Sequence, residues 1–430
     1  MTSSSSKIER PLSKVRSDIA KLMLAAAGVQ GVALIALPVL QRSFYGPEAF
    51  ADFAIYSQLA GLIGAISTGR MDLAIVQHQK APLARAAFIH GSKLLLAASL
   101  AAFVLAHALN WGDFQMGQVH GLQVWLPLGV ASMGLSAMCT AWMSRDSAFS
   151  KIAQYRAAGG ISGEGMRFAA ASLSHTGLIA GRIAGQWLTS LLALRKVIQD
   201  HSGWPRASAE DQKSAWKLDR DYVRFTTPAN ILAMAANALL ILFLYEAALR
   251  DFVGQVGTAL AYLTAASGLV IKNVNDVFFR HLKEVANQHL SSLYGRWSIS
   301  LMAVSAAGVA CLHAIPGNWV TLALGERWAD MLPAMQWLSL WMVPWIAGSS
   351  LSGIFPHLRR QSLAFVLDLG HLILIAGWLG LRWIDVPASS LGTDMRILQE
   401  YACIQGGFYS FTLIVGWYLC QKAKSTSAVD

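Results

Sequence analysis

The stretch ISTGRMDLAIV, residues 66–76, places an arginine and an aspartate, Arg70 and Asp72, at the end of an otherwise apolar segment. Apolar segments recur along the whole 430-residue chain, in which 55% of the residues are hydrophobic and only 13% are charged. Soluble proteins carry about 25% charged residues. The mean hydropathy is +0.45. A soluble protein of this size could not keep so much apolar surface out of water, so the composition predicts an integral membrane protein.

A helix needs about 20 apolar residues to cross a bilayer. By this criterion the sequence predicts an all-α polytopic membrane protein with about twelve spans, at residues 22–41, 51–76, 87–109, 121–143, 157–175, 177–195, 224–246, 257–279, 297–315, 334–356, 362–383 and 399–420. The fifth span contains several glycines together with Glu164 and Arg167. It can cross a membrane only where protein or water covers it.

The distribution of lysine and arginine predicts the orientation of these spans. With both termini in the cytoplasm, 24 of the 34 basic residues fall in cytoplasmic segments and five fall outside. Cytoplasmic loops of membrane proteins typically contain more lysine and arginine than the loops on the outer side. The net charge of +10 is therefore explained by topology, and nucleic acid is not expected as a partner.

The longest predicted cytoplasmic loop, residues 199–223, divides the chain into two halves of six spans. We expect one lobe over residues 1–198, with a basic cytoplasmic tail, and a second lobe over residues 224–430. A shift of 206 residues places the second span on the eighth and Arg70 on Asp276. An even number of spans in each half predicts a parallel repeat, with its pseudo-twofold axis along the membrane normal.

The charges that fall inside the spans are the candidate functional residues, because each is costly in a bilayer. On a continuous helix Arg70 and Asp72 would lie about 200° apart and could not pair with each other. We expect Arg70 to face a central aqueous cavity and Asp72 to be neutralised by a neighbouring helix. The alternative is a salt bridge between helices with no role in binding.

The fifth span places Arg156, Gly160, Gly163 and Arg167 near one face. The sixth span adds Arg182. Glu164 is spaced to pair with Arg167 at i, i+3. Arginine suits phosphate especially well, so a cavity lined in this way would attract a phosphate-bearing anion. A lipid-linked anion would explain both this cavity and the large apolar fold.

Other intramembrane charges lie in the second half. Lys272 and Asp276 are one turn apart in the eighth span and can neutralise each other. Asp368 and His371 in the eleventh span either carry protons or make a polar contact between helices. Together with Asp72 and Glu164, these acids and the histidine are candidates for ion coupling or for charge pairing.

Several chemical classes are not indicated by the sequence. The four cysteines, Cys139, Cys311, Cys403 and Cys420, lack the spacing of a metal site or of a disulfide framework. The histidines are scattered, and no nucleophile constellation or glycine-rich phosphate loop is present. No cofactor, metal or enzymatic activity is therefore predicted. A membrane-embedded polysaccharide polymerase or ligase would need a larger outer loop than this chain offers.

Three segments resemble those of bacterial polysaccharide and O-antigen repeat-unit flippases, which belong to the multidrug/oligosaccharidyl-lipid/polysaccharide exporter superfamily. They are RSFYGPEAFADFAIYSQLAGLIGAISTGRMDLAIV (42–76), LALGERWADMLPAMQWLSLW (322–341) and VNDVFFRHLKE (274–284). The matching residues include Arg42, Pro47, Glu48, Phe50, Arg70, Asp72, Ala74, Ile75, Gly325, Glu326 and Trp328. The chain departs from the family pattern at Ala51, at Met71 and in having Asp72 where glutamate is usual.

The resemblance implies two lobes around a central cavity and alternating access. It implies translocation of an undecaprenyl-pyrophosphate-linked oligosaccharide across the bacterial inner membrane for surface polysaccharide biosynthesis. Membrane lipids, a polysaccharide polymerase and other assembly proteins are the expected partners. The cavity would be formed by Arg70, Arg156, Arg167, Arg182 and Lys272. The alternative is a multidrug antiporter of the same fold, although most substrates of such antiporters are cations.

Overall fold

The computed structural model describes residues 12–112, 114–171, 176–200, 203, 206–247, 249–284, 289–358, 360–385 and 395–426. The regular secondary structure of these residues is helical. The helices are α1 Leu12–Ser43, α2 Pro47–Gly64, α3 Met71–Gln77, α4 Ala81–Trp111, α5 Leu122–Arg145, α6 Phe149–Ala169, α7 Gly177–Asp200, α8 Ala209–Asp221, α9 Thr227–Ala247, α10 Arg250–Glu284, α11 Leu290–His313, α12 Asn318–Leu324, α13 Met331–Ser350, α14 Ile354–His357, α15 Gln361–Asp385 and α16 Met395–Thr426.

Each of the twelve predicted spans lies on one or two of these helices, so the all-helical polytopic fold is confirmed. Seven stretches in the described part of the chain are long and apolar enough to cross a membrane: they lie in α4, α5, α7, α9, α11, α15 and α16. The helices pack mainly within two groups, α1–α7 and α9–α16. The lobe boundaries at residues 198 and 224 stay a prediction.

The second span is not the continuous helix that the sequence predicts. α2 ends at Gly64, and α3 begins only at Met71. Between them Gly69 and Arg70 adopt left-handed backbone conformations, with φ of 58° and 62°. A Cβ on Gly69 would lie 2.6 Å from Leu94 Cδ1, so the turn passes close to α4. Left-handed conformation is rare for a residue with a side chain, and here it interrupts the helix at Arg70.

The predicted linker between the halves is also more ordered than a loop. α8 occupies most of it and begins with a capping box, in which Ser208 and Asp211 exchange hydrogen bonds. α8 packs on α4. His78, just after α3, contacts Asp219 of α8 at 2.8 Å. The end of the bundle that holds α3, α8 and the start of α9 is called the linker end, and the opposite end is called the far end.

The fifth span begins earlier than predicted, at Phe149, and its helix α6 ends at Ala169. Residues 172–175 of the predicted span lie outside the described residues. Glycines allow α6 to approach α7 closely. A Cβ on Gly185 of α7 would lie 2.4 Å from the carbonyl oxygen of Gly159 and 2.8 Å from the Cα of Gly163 on α6. Small residues spaced by four are typical of tightly packed membrane helices.

The two groups of helices meet at the far end. Tyr245 of α9 donates a hydrogen bond of 2.5 Å to the Asp52 carboxylate of α2, and both side chains are buried. The Glu246 carboxylate accepts hydrogen bonds from the backbone N–H groups of Gln115 and Met116, at 3.0 and 2.8 Å. These contacts join the two groups through polar side chains.

Close backbone packing reinforces this junction. A Cβ on Gly254 of α10 would lie 1.8 Å from the carbonyl oxygen of Pro47 on α2. At the same level Phe50 and Trp328 meet edge to face, with ring centroids 5.3 Å apart. The far end of the bundle is therefore sealed by α2, α9 and α10.

The first prediction concerns the contact between α6 and α7. Gly185→Ala should destabilise the protein by about 1–3 kcal/mol, because the methyl group has no room against the α6 backbone. The measurement is the thermal midpoint of the purified protein in detergent. Gly165→Ala on α6 is the matched control, since nothing lies within 4 Å of its Cβ position. Equal midpoints for the two variants would contradict this packing.

Candidate functional site

A cavity of about 240 Å³ lies between α1, α6 and α7 and is lined by Arg156, Arg167 and Arg182. A second cavity of about 470 Å³ lies beside it, against α3 and α5. The two cavities share Arg156 and Gln186. Together they are called the first-half cavity. The structure thus brings together three of the arginines that the sequence singled out.

Arg156 and Arg182 are the exposed cations of this cavity. Arg156 lies on α6 and Arg182 on α7, and both side chains are exposed. In the part of the chain that the structure describes, neither makes a hydrogen bond or an ion pair with another residue. The three arginines of the cavity outnumber its two carboxylates, Asp72 and Glu164, so its net charge is positive. The cavity can therefore accept an anion without first breaking an existing ion pair.

Arg167 has a different environment. Its Nη1 donates to both carboxylate oxygens of Glu164, at 2.8 and 3.0 Å, so the ion pair that the i, i+3 spacing allows is present. The Arg167 guanidinium also lies over the ring of Phe53, 4.9 Å from its centroid. The residue is only 5% exposed. Arg167 thus has its charge compensated and is held in place between helices.

Gln186 was not singled out by the sequence, although it lines both parts of the first-half cavity. It follows Arg182 by one helical turn, so the two share a face of α7. The Gln186 side-chain oxygen accepts a hydrogen bond of 3.1 Å from Ser132 of α5. The only sequence signal for Gln186 is that it follows the candidate Arg182 by four residues. Many neutral residues have such a spacing, so the sequence could not identify Gln186.

The structure places Arg70 and Asp72 in different surroundings, and the assignment of Arg70 to a central cavity stays a prediction. Asp72 lines the first-half cavity, whereas Arg70 is not among the residues that line the cavities described here. Asp72 accepts a hydrogen bond of 3.0 Å from Thr68 in the preceding turn, and not from a neighbouring helix. The expectation assumed a continuous helix, and the break at residues 65–70 changes the direction of both side chains.

The second half contains a larger cavity of about 940 Å³ between α9, α13, α15 and α16, here called the second-half cavity. Asp368 and His371 both line it. His371 Nε2 lies 2.8 Å from Gln405 Oε1 of α16, which is a polar contact between helices. The His371 ring also stacks on Phe408, with centroids 4.1 Å apart and planes within 8°.

Lys272 and Asp276 lie on α10, as the sequence predicts. Their side chains lie outside the described part of the structure. Their assignment to the site therefore stays a prediction.

The first-half and second-half cavities occupy equivalent places in the chain. α1, α5, α6 and α7 are the first, fourth, fifth and sixth spans of their half, and α9, α13, α15 and α16 are the corresponding spans of the other half. Both cavities are lined by residues near the linker end, such as Ser144 and Ser352. Both cavities thus extend toward the linker end, whereas the far end is sealed.

The second prediction concerns the ion pair between Arg167 and Glu164. Arg167→Gln should lower stability by about 3–5 kcal/mol, because it leaves the buried Glu164 carboxylate without its cation. The double variant Glu164→Gln/Arg167→Gln should recover most of this loss. Thermal unfolding in detergent measures both. If the single and the double variant unfold at the same temperature, the ion pair does not stabilise the α6–α7 packing.

No family model and no curated protein matches the chain. Solved structures that share its fold include two transport proteins. One is the inward-facing conformation of a multidrug resistance MATE family transporter of the MOP superfamily, with a TM-score of 0.63 and 14% identity, covering 94% of each chain. The other is the lipid II flippase MurJ in an inward closed conformation, with a TM-score of 0.59 and 11% identity, covering 93% of this chain and 86% of that one.

At these identities the likeness concerns the fold. Both proteins are transport proteins rather than enzymes, and the alignments extend over nearly the whole chain. The two-lobe helical architecture expected from the sequence is thereby confirmed. The chain has the fold of the transporters of the MOP superfamily.

Proposed function

We propose that this protein is an alternating-access transporter for an anionic, lipid-linked substrate, and specifically a flippase for an oligosaccharide on undecaprenyl pyrophosphate. The observation that carries the proposal is the pair of exposed arginines, Arg156 and Arg182, which line the first-half cavity and make no ion pair with a described residue. Guanidinium groups bind phosphate oxygens through two parallel hydrogen bonds. The pyrophosphate is the group that they would hold.

A lipid-linked substrate accounts for the size and apolar character of the protein. The undecaprenyl chain stays in the bilayer while the head group enters the cavity, so only the polar part of the substrate must be taken through the protein. The site of action would be the bacterial inner membrane, with both termini in the cytoplasm. A polysaccharide polymerase and other assembly proteins would use the translocated product.

The sealed far end supports alternating access. The cavities extend toward the linker end, which we assign to the cytoplasm, while α2, α9 and α10 close the other side. Export requires the contacts of Tyr245 with Asp52 and of Gly254 with Pro47 to separate. Apolar residues such as Phe50 and Val253 pack at the same junction, so opening must also expose apolar surface there.

The second candidate function is multidrug antiport. The second-half cavity favours it, because a carboxylate, Asp368, and several aromatic rings lie together there, and organic cations bind to such groups. The arginines of the first-half cavity oppose it, because they repel a cation. The charge of the transported substrate therefore distinguishes the two functions.

The third prediction concerns Arg156 and Arg182. Arg156→Gln or Arg182→Gln should weaken binding of undecaprenyl pyrophosphate by about 10- to 100-fold, because each loses a charge-assisted hydrogen bond to phosphate. Binding is measured with the purified protein in nanodiscs. Surface polysaccharide should be lost in cells that carry either variant as the only copy. The thermal midpoint should stay close to that of the wild type, since neither arginine has a partner to lose.

Lys151→Gln is the matched control, because Lys151 is an exposed cation on the same helix and does not line the first-half cavity. It should bind and export as the wild type does. Normal binding of the lipid by both arginine variants would rule out the phosphate site. Tighter binding of organic cations than of the lipid by the wild type would favour multidrug antiport.

The fourth prediction tests alternating access. A Cβ on Gly257 of α10 would lie 2.8 Å from the Ala54 Cβ on α2, close enough for a disulfide after a small shift. Oxidised Ala54→Cys/Gly257→Cys protein should hold the far end closed and stop export, and reductant should restore it. The two single variants are the controls. Unimpaired export by fully oxidised protein would contradict an opening between α2 and α10.

A further inference from the structure

The second-half cavity combines two kinds of lining group. Aromatic rings come from four helices: Trp345 on α13, Phe355 on α14, Phe365 on α15, and Phe408 with Tyr409 on α16. Hydrogen-bonding side chains also line it, among them Asn237, Ser349 and Asp368. Mostly apolar cavities with a small number of converging polar groups are typical of ligand sites.

The aromatic rings are held in fixed orientations. Phe408 stacks in parallel on His371, and His371 is in turn held by Gln405 of α16. Tyr409 stacks on Trp341, with centroids 5.8 Å apart and planes within 19°. Since these rings are already immobilised by their neighbours, a ligand that stacks on them loses little side-chain entropy on binding.

The carboxylate oxygens of Asp368 are hydrogen-bond acceptors for which the ligand must bring donors. It lies one turn before His371 on α15 and is partly buried. In the described part of the chain it makes no hydrogen bond and no ion pair. An ionised carboxylate only accepts hydrogen bonds, so the ligand must provide N–H or O–H groups at this point. A partly buried carboxylate beside aromatic rings is costly unless such donors or water are present.

The net charge of the residues that line the second-half cavity does not favour a cationic ligand. Arg224, at the linker end of the same cavity, contributes a positive charge against the negative charge of Asp368. A neutral ligand with an apolar face and a rim of donors fits this lining better than an organic cation does. A pyranose ring has this form, because its C–H groups make one face apolar and electropositive while its hydroxyl and amide groups surround the edge. The π face of an aromatic ring is electronegative and attracts such a face.

The equivalent positions of the two cavities suggest a division of the substrate between them. The first-half cavity is lined by arginine, whereas the second-half cavity, of about 940 Å³, is lined by aromatic rings. We propose that the second-half cavity is the glycan subsite, in which sugar rings stack on Phe408 and its aromatic neighbours and donate hydrogen bonds to Asp368. This inference rests on the proposed function, since the sugars are those carried by the pyrophosphate lipid.

The experiment compares two probes on purified protein in nanodiscs: undecaprenyl pyrophosphate, and the same lipid carrying one N-acetylglucosamine. The wild type should bind the sugar-bearing lipid about tenfold more tightly. Phe408→Leu, and separately Asp368→Asn, should reduce this ratio to below about threefold and leave the bare lipid nearly unaffected. Phe411→Leu is the matched control, because Phe411 is 54% exposed on the same helix and does not line the cavity.

Every other outcome of this experiment contradicts a stated part of the proposal. An unchanged ratio in both cavity variants, with thermal midpoints like that of the wild type, overturns the glycan subsite. So does a wild type that binds both lipids equally, although the phosphate site then stands. Ethidium binding that is abolished by Asp368→Asn, without a sugar preference, assigns the cavity to organic cations instead. A wild type that binds neither lipid overturns the proposed function itself, and Arg182→Gln should weaken both probes by the same factor.

Discussion

The close approach of α6 and α7 is the contact on which the candidate site depends. Glycines at 159, 163 and 185 let the two backbones meet where any larger side chain would separate them. This contact holds Arg167 against Glu164 in the buried layer between helices, and it leaves Arg156 and Arg182 on the cavity side. One arginine thus stabilises the packing while two others remain available to a ligand.

The two halves share a plan and differ in chemistry. Corresponding spans enclose a cavity in each half, and the first is cationic whereas the second is aromatic. The halves are joined at the far end by an apolar cluster that includes Phe50 and Trp328, and by polar or glycine-dependent contacts such as those of Asp52 and Gly254. A transporter with this construction can hold two parts of one substrate at different places and still change the side to which it opens.

Much of the site could be predicted from periodicity. The i, i+3 spacing of Glu164 and Arg167 allowed their ion pair, and the structure contains it. The angle calculated between Arg70 and Asp72 does not hold, because left-handed residues at 69–70 break the continuous helix that it assumed. The sequence contains no signal for the proposed role of Phe408. An aromatic residue in a membrane span can face lipid, the protein core or a cavity, and its sequence neighbours look the same in all three cases.

The sequence by itself determined that the chain is a polytopic helical membrane protein and which of its predicted spans carry charges. These properties follow from hydropathy and helical period, which are local. Only the tertiary structure decided which charges are compensated and which are exposed in a cavity, and that the rings of α13, α15 and α16 line a common space. Those outcomes depend on distances between residues far apart in the chain, and no pattern within a single helix specifies them.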